Sequence, residues 1–259
     1  YIYKSSSSGW DIDAVLTTGS YNASASANDT DGDYAFFNSR IHGNKIFTNG
    51  FRNGSDRFVA FFNSSSLSGW QLEKEVPVAA VSSDAALGSL GLSGVAFDFD
   101  GTTAVMGSKD GESAAYYNAI AGKIHIFASS STGWGEVAKL GLSASGITSD
   151  VTSTFGSTYG VEEYRTWTRF GYKSCAVSGS YIAAAAQGES LSVGSEYQRQ
   201  RHSVFIYKSS SSGWNIEARI NDPATNLTVS GSSSGDTNDT EFGTGLTIKN
   251  NVLVVNSPE

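Results

Sequence analysis

The chain has 259 residues, which is long enough for one large all-β domain or two small ones with a full hydrophobic core. Its 17 lysines and arginines stand against 25 aspartates and glutamates, and this formal net charge of −8 argues against a nucleic acid partner. Because no apolar run reaches the roughly 20 residues of a membrane-spanning helix, no membrane span is predicted either.

The composition predicts many short β-strands. There are 14 phenylalanines, 12 tyrosines, 5 tryptophans and 29 glycines but only 3 prolines, which favours aromatic-rich strands joined by glycine and serine turns. The single cysteine, Cys175, has no partner for an internal disulfide and lies in no nucleophile motif. We therefore expect it to be a buried, small apolar side chain.

The first predicted element is a hairpin, YIYKSSSSGWDIDAVL, in which a serine-rich loop separates two strands. The same order of aromatic strand, serine loop and tryptophan strand returns three times, and the octet YKSSSSGW recurs unchanged. Since serines supply local hydrogen bonds and glycine a positive φ, each loop is predicted to be a solvated turn. The four tryptophan hairpins span 1–16, 58–76, 123–140 and 203–220.

Each of these four tryptophans is followed six residues later by an aliphatic residue, as in Trp10 and Leu16 or Trp134 and Leu140. Side chains alternate between the two faces of a strand, so the even spacing predicts that both residues point to the same face. We expect that face to pack against a neighbouring sheet.

A second kind of hairpin is predicted between the tryptophan hairpins. Each has two apolar runs around a tight turn, at Gly43-Asn44, Asp100-Gly101, Gly179-Ser180 and Asn250-Asn251. These hairpins span 34–50, 93–108, 169–186 and 241–258. Two hairpins make one four-stranded unit, and the units span roughly 34–76, 93–140, 169–220, and 241–259 combined with 1–16.

Repeated four-stranded units indicate a β-propeller, in which each sheet buries its faces against the next. The predicted fold is therefore an all-β single domain over 1–259, with about four four-stranded antiparallel blades and one blade split between the N- and C-termini. Three arrangements of the split blade are left open. In the first, the ring closes on its own ends. In the second, the chain is an excerpt of a longer propeller. In the third, the terminal half-blades pair with neighbouring molecules and give a homo-oligomer or homopolymer.

Two stretches carry a Phe-Gly element: RFGYKSCAVSG contains Phe170-Gly171, and EFGTGLTIKNNVLVVNSPE contains Phe242-Gly243 followed by Asn256-Ser257-Pro258. In these motifs the chain resembles the FG-GAP repeat family, which has Gly-Ala-Pro at the last position. The first two units carry FFNS and SGVAFD instead of Phe-Gly. Such repeats occur in integrin α-subunit heads and other extracellular proteins, so the resemblance implies a propeller and an extracellular, secreted or cell-surface location.

The acidic segment NDTDGDY places Asp29, Asp31 and Asp33 at alternating positions around a glycine. Hard cations need several oxygen ligands from a short bend, so this segment is a candidate calcium loop, although it lacks the distal glutamate of an EF-hand. The family resemblance also implies calcium loops like those of integrin propellers. The alternative is a solvated acidic turn without a cofactor.

Six asparagines lie in acceptor motifs for N-glycosylation, and most fall in long loops or a serine turn. In a eukaryotic secretory protein, we expect glycans at these positions. They are Asn22, Asn28, Asn53, Asn63, Asn226 and Asn238.

The longest predicted connection, 141–168, combines aromatic planes with one cation, as surfaces that bind sugars or proteins do. Its candidate binding residues are Tyr159, Tyr164, Arg165 and Trp167. In the alternative interpretation, the aromatic residues pack the loop against the fold.

No catalytic motif is present, so the sequence favours a protein that is not an enzyme. The first functional hypothesis is an extracellular structural or adhesive protein that self-assembles into a fibre or surface layer. The alternative is a glycan- or protein-binding module with calcium-stabilised loops. A carbohydrate-active enzyme would need two facing carboxylates, and linear spacing cannot pair Asp98, Asp150, Glu162 or Glu163.

Overall fold

The computed structural model describes residues 1–16, 35–52, 56–77, 96–108, 123–141, 170–171, 174–186, 191–193, 196–198, 203–221 and 242–257. Over these residues every regular element is a β-strand, which confirms the predicted all-β class. Within the same ranges, no helix is long and apolar enough to cross a membrane.

The strands follow one another as a series of antiparallel hairpins. In chain order they are β1 (Ile2–Ser6), β2 (Gly9–Ala14), β3 (Ala35–His42), β4 (Lys45–Arg52), β5 (Asp56–Ser65), β6 (Gly69–Pro77), β7 (Phe97–Phe99), β8 (Thr103–Ser108), β9 (Lys123–Ser130), β10 (Gly133–Leu140), β11 (Cys175–Ser178), β12 (Tyr181–Ala186), β13 (Leu191–Val193), β14 (Glu196–Gln198), β15 (Ser203–Ser210), β16 (Gly213–Asn221), β17 (Leu246–Lys249) and β18 (Val252–Val255).

Three four-stranded antiparallel sheets form the body of the fold. Sheet I has the order β3-β4-β5-β6, sheet II β7-β8-β9-β10 and sheet III β11-β12-β15-β16. Each joins a tight-turn hairpin to a tryptophan hairpin, so three of the four predicted four-stranded units are confirmed as sheets. The hairpins β1–β2 and β17–β18 form separate two-stranded sheets. A short hairpin, β13–β14, was not predicted from the sequence.

The turns have the backbone conformation that their residues favour. At the tight turns, φ is 58° at Gly43, 93° at Gly101 and 57° at Gly179, while Asn250 and Asn251 have φ of 50° and 62°. Glycine and asparagine tolerate this left-handed region better than other residues. All four predicted tight turns are therefore confirmed.

The serine loops are closed by their own side chains. In the third tryptophan hairpin the hydroxyl of Ser130 donates to the carbonyl of Gly133 at 3.1 Å, and the Thr132 amide donates back to Ser130 Oγ at 3.2 Å. The same two bonds recur around Ser210 in the fourth hairpin. The repeated serine run is thus a local turn device, as predicted.

The sheets stack face to face in the order of the sequence. Sheet I packs one face against the hairpin β1–β2 and the other against sheet II. Sheet II packs its second face on sheet III, and the far face of sheet III holds the hairpin β17–β18. Cys175 is buried, as predicted. It lies between sheets II and III, and burial raises the pKa of its thiol. Apolar burial on both faces of every four-stranded sheet holds this row together.

A β-bulge occupies the same position in every tryptophan hairpin. Three residues after the tryptophan, the outer strand has one residue with no opposite partner; in sheet II, Glu136 lies opposite Phe127 and Ala138 opposite Ile126. The four bulge residues are exposed, and they are Asp13, Glu73, Val137 and Glu217.

The bulge makes one prediction wrong, because the tryptophan and the aliphatic residue six positions later lie on opposite faces. Trp134 packs between sheets I and II, whereas Leu140 packs between sheets II and III. Trp70 packs with the hairpin β1–β2, whereas Val76 packs with sheet II. The extra residue shifts the alternation by one, so an even count no longer means a shared face.

The Phe-Gly element brings the backbone of one unit close to the preceding sheet. Phe170 is fully buried, and the amide of Gly171 donates to the carbonyl of Ala185 at 2.8 Å. A Cβ on Gly171 would lie 2.3 Å from Cγ1 of Ile124 in sheet II. Gly243 approaches sheet III in the same way. Glycine is therefore required here by both φ and space.

Carboxylates in the first hairpin of sheet II connect it to its neighbours. Asp98 accepts a hydrogen bond from the Val177 amide at 2.9 Å in sheet III and lies 3.8 Å from Arg40 Nε in sheet I. Asp100 caps its own turn and accepts from the Gly179 amide at 2.6 Å. This segment, for which the sequence predicted only a tight turn, thus links the three sheets.

Candidate assembly surface

Most site residues predicted from the sequence lie outside the described residues. These are the calcium candidates Asp29, Asp31 and Asp33, the acceptor asparagines Asn22, Asn28, Asn53, Asn226 and Asn238, and the binding candidates Tyr159, Tyr164, Arg165 and Trp167. The calcium loop and the binding loop stay predictions. In the part of the chain that the structure describes, no three His, Cys, Asp or Glu side chains come close enough to hold a metal ion.

Asn63 is the one predicted glycosylation site among the described residues. It lies at the end of β5, next to the serine turn, and is half-buried. Its side-chain oxygen accepts a hydrogen bond from Nδ2 of Asn44 at 2.8 Å. This leaves its own amide nitrogen, the atom that carries an N-linked glycan, outside that bond.

The hairpin β1–β2 has one covered and one exposed apolar face. Ile2 and Leu16 pack against sheet I. The opposite face presents Tyr3, Trp10 and Ile12, whose exposed fractions are 55%, 73% and 57%. An exposed cluster of aromatic residues marks an interaction surface more often than a solvated face. We call these three residues the aromatic end.

The repeat shows what normally covers the aromatic end. Strand registers place Tyr3 in the position of Phe62, Phe127 and Tyr207, which are at most 4% exposed. The counterparts of Trp10 pack toward the sheet that precedes them in the sequence; Trp134, for example, stacks on Phe61 of sheet I with ring centroids 4.2 Å apart. No such sheet precedes the hairpin β1–β2 among the described residues.

The hairpin β17–β18 is the complement at the other end of the row. Leu246, Leu253 and Val255 pack against sheet III, whereas Val252 and Val254 are exposed. Val254 is 55% exposed, but its counterparts in the three sheets, by strand register, are 0% exposed. Those counterparts are Phe47, Val105 and Ala183. We call Val252 and Val254 the aliphatic end.

Each terminal hairpin also has a strand edge whose counterparts are paired. The counterparts of β1 are β5, β9 and β15, and those of β18 are β4, β8 and β12. In the four-stranded sheets these strands pair with each other and form the centre of the sheet. Among the described strands, β1 pairs only with β2, and β18 only with β17. Unpaired, regular strand edges attract partner strands.

A buried polar row that the sequence did not reveal crosses sheet II. His125 Nδ1 lies 2.5 Å from Glu136 Oε1, and His125 Nε2 lies 2.9 Å from Ser108 Oγ. The serine-histidine-carboxylate order resembles a nucleophilic triad. However, Ser108 and His125 are buried and only the glutamate side chain is partly exposed, which is the reverse of what an attacking serine needs. The row therefore serves to satisfy a buried histidine.

No model of a known protein family matches this chain, and no curated protein does. Among the described residues, the two ends of the row expose Tyr3 and Val254, whose counterparts in the three inner sheets are buried.

Proposed function

We propose that this protein is a non-catalytic extracellular structural or adhesive protein that self-assembles through the two ends of its sheet row. The observation that carries the proposal is the contrast within the repeat: Tyr3, Trp10 and Val254 are exposed, while the residues at the same positions of the inner sheets are buried or partly buried. Removing such apolar surface from water favours association.

The four-stranded sheets are, in this proposal, blades of a β-propeller of the FG-GAP type. The face-to-face packing of sheets I to III, in sequence order, supports their assignment as propeller blades. The close approach of Gly171 and Gly243 to the preceding sheets supports a structural role for the Phe-Gly element. The alternative function, a glycan- or protein-binding module with calcium-stabilised loops, depends on residues outside the described ranges and stays a prediction.

Sedimentation velocity and negative-stain electron microscopy over a wide range of protein concentrations test self-assembly. We expect oligomers, fibres or sheets whose population grows with concentration. A single monomeric species at the highest concentration reached would contradict the proposal. The extracellular assignment predicts glycans on Asn63 after secretion from a eukaryotic host, and peptide mass spectrometry with Asn63→Gln as the control checks it.

A further inference from the structure

We infer that strand β18 of one copy pairs antiparallel with strand β1 of a second copy, with Val254 opposite Ile2 and Leu253 opposite Tyr3. This inference rests on the proposed function and specifies the contact between the two copies, which we call the joint. The two hairpins then complete one four-stranded sheet between sheet III of the first copy and sheet I of the second.

The register follows from the three complete sheets. In sheet III, Tyr181 lies opposite Lys208 and Ala183 opposite Ile206; in sheet I, Lys45 lies opposite Asn63 and Phe47 opposite Phe61. Counting from the hairpin turns, Val252 holds the position of Tyr181 and Lys4 that of Lys208. The same offset therefore sets Val252 opposite Lys4 and, two residues further, Val254 opposite Ile2.

The side-chain faces agree with this register. Directly opposite residues of antiparallel strands point to the same face. Ile2 already packs on sheet I of its own copy, so Val254 opposite it becomes covered by that same sheet. Leu253 already packs on sheet III of its own copy, so Tyr3 opposite it becomes covered there. A register shifted by one residue would point both pairs to the wrong faces.

The aromatic end of the second copy gains a specific contact surface. Trp134 stacks on Phe61 of the preceding sheet, and the residue of sheet III in the position of Phe61 is Ile206. Ile206 is only partly buried in the single chain. We therefore place Trp10 of the second copy over Ile206 of the first. The outer strands β2, β6, β10 and β16 each carry a bulge, which disfavours pairing at those edges instead.

The test uses disulfide trapping in a Cys175→Ala background, since Cys175 is the single cysteine of the chain. A chain with Ile2→Cys is mixed with a tagged chain carrying Val254→Cys and oxidised at a concentration where association is seen. We expect a mixed disulfide dimer several times more abundant than that formed by Ile2→Cys with Val252→Cys, the control shifted by two residues.

The outcomes separate the joint from the function. Association without preference for the Ile2–Val254 pair overturns the joint and leaves self-assembly standing. A third chain carries both Ile2→Cys and Val254→Cys. If oxidation of that chain gives a fast-migrating monomer and the two single-cysteine chains give no mixed dimer, the chain closes on its own ends, which overturns the second copy as the occupant. Absence of association at any concentration overturns both proposals.

A second variant guards against misfolding of the cysteine chains. Trp10→Ala removes the main aromatic anchor from a side chain that is exposed in the single copy. We expect an unchanged melting temperature in dilute solution and an association constant lower by at least about tenfold. An unchanged association constant would contradict the placement of Trp10 in the joint.

Discussion

At His125, both ring nitrogens are bonded within one sheet, to Glu136 on one side and Ser108 on the other. The three residues are far apart in sequence and meet only because the register of β8, β9 and β10 aligns them. No sequence signal beyond the strand pattern announces such a row, so this part of the molecule was not predictable from the sequence.

Removing the acceptor for His125 should destabilise the fold. Glu136→Leu leaves the buried Nδ1–H without a partner, which costs about 1–3 kcal/mol. Glu136→Gln retains an acceptor oxygen and should cost less. Chemical denaturation of both variants measures the difference in the free energy of unfolding. Equal values for the two would show that the hydrogen bond to Glu136 is not what stabilises His125.

The Asp100 carboxylate gives the fold an acid-sensitive contact between sheets. Burial by itself raises the pKa of Asp100, but hydrogen bonds from Thr103, Thr102 and Gly179 outweigh it and hold the pKa below its ordinary value. A carboxyl whose pKa is lower in the folded state stabilises the fold above its unfolded pKa. That contribution is lost as the pH falls through the folded pKa.

Asp100→Asn should therefore remove part of the pH dependence of stability. The variant should melt at a lower temperature than the original chain at neutral pH, and the gap should narrow steadily as the pH falls from about 5 toward 3. Melting curves by circular dichroism across this range check the prediction. A gap that is constant with pH would mean that ionisation of Asp100 does not contribute.

Among the elements, local chemistry made the hairpins predictable and the bulges unpredictable. Glycine and asparagine at the tight turns and serine in the tryptophan hairpins require their conformations within a few residues. A bulge has no such compositional signature, since Asp13, Glu73 and Glu217 share a position with Val137. For this reason the sequence predicted the strands and their turns, but assigned Leu140 to the wrong face.

The Phe-Gly element should tolerate no side chain at its glycine. Two effects destabilise Gly171→Ala: the positive φ of 65° strains the alanine backbone, and the new Cβ would lie 2.3 Å from Cγ1 of Ile124. Gly179→Ala is the matched control, because φ is 57° but nothing lies within 4 Å of the new Cβ. We expect a loss of about 1–2 kcal/mol for the control and about 3 kcal/mol or more for Gly171→Ala.

Unfolding of both glycine variants in denaturant measures this difference. Similar losses would show that the strained turn, and not the close approach to sheet II, accounts for the glycine at position 171.

On the scale of the whole molecule, residues at equivalent positions of the repeat differ in exposure, because the inner sheets are packed on both faces and each terminal hairpin on one. The sequence repeat predicted that the terminal hairpins lack their other halves. It did not predict which of their faces sheets I and III would cover, because that depends on packing between sheets. The same tryptophan position is therefore buried or partly buried inside the row and exposed at its start.

The difference in burial between Trp134 and Trp10 predicts different losses of stability for the same substitution. Trp134 is 3% exposed and stacked on Phe61, so Trp134→Ala should lower the free energy of unfolding by about 3–5 kcal/mol. Trp10→Ala should change it by less than about 0.5 kcal/mol in dilute solution. Large losses in both variants would mean that the aromatic end is already covered within a single chain.

Each inner tryptophan packs toward the sheet that precedes it in the sequence, and this shared orientation gives the row of sheets a direction. The start of the row exposes aromatic rings and its end exposes valines, so in the proposed assembly every copy adds in the same orientation. A copy with a damaged aromatic end would still bind the next copy through its aliphatic end. It would therefore stop growth of the assembly in one direction only.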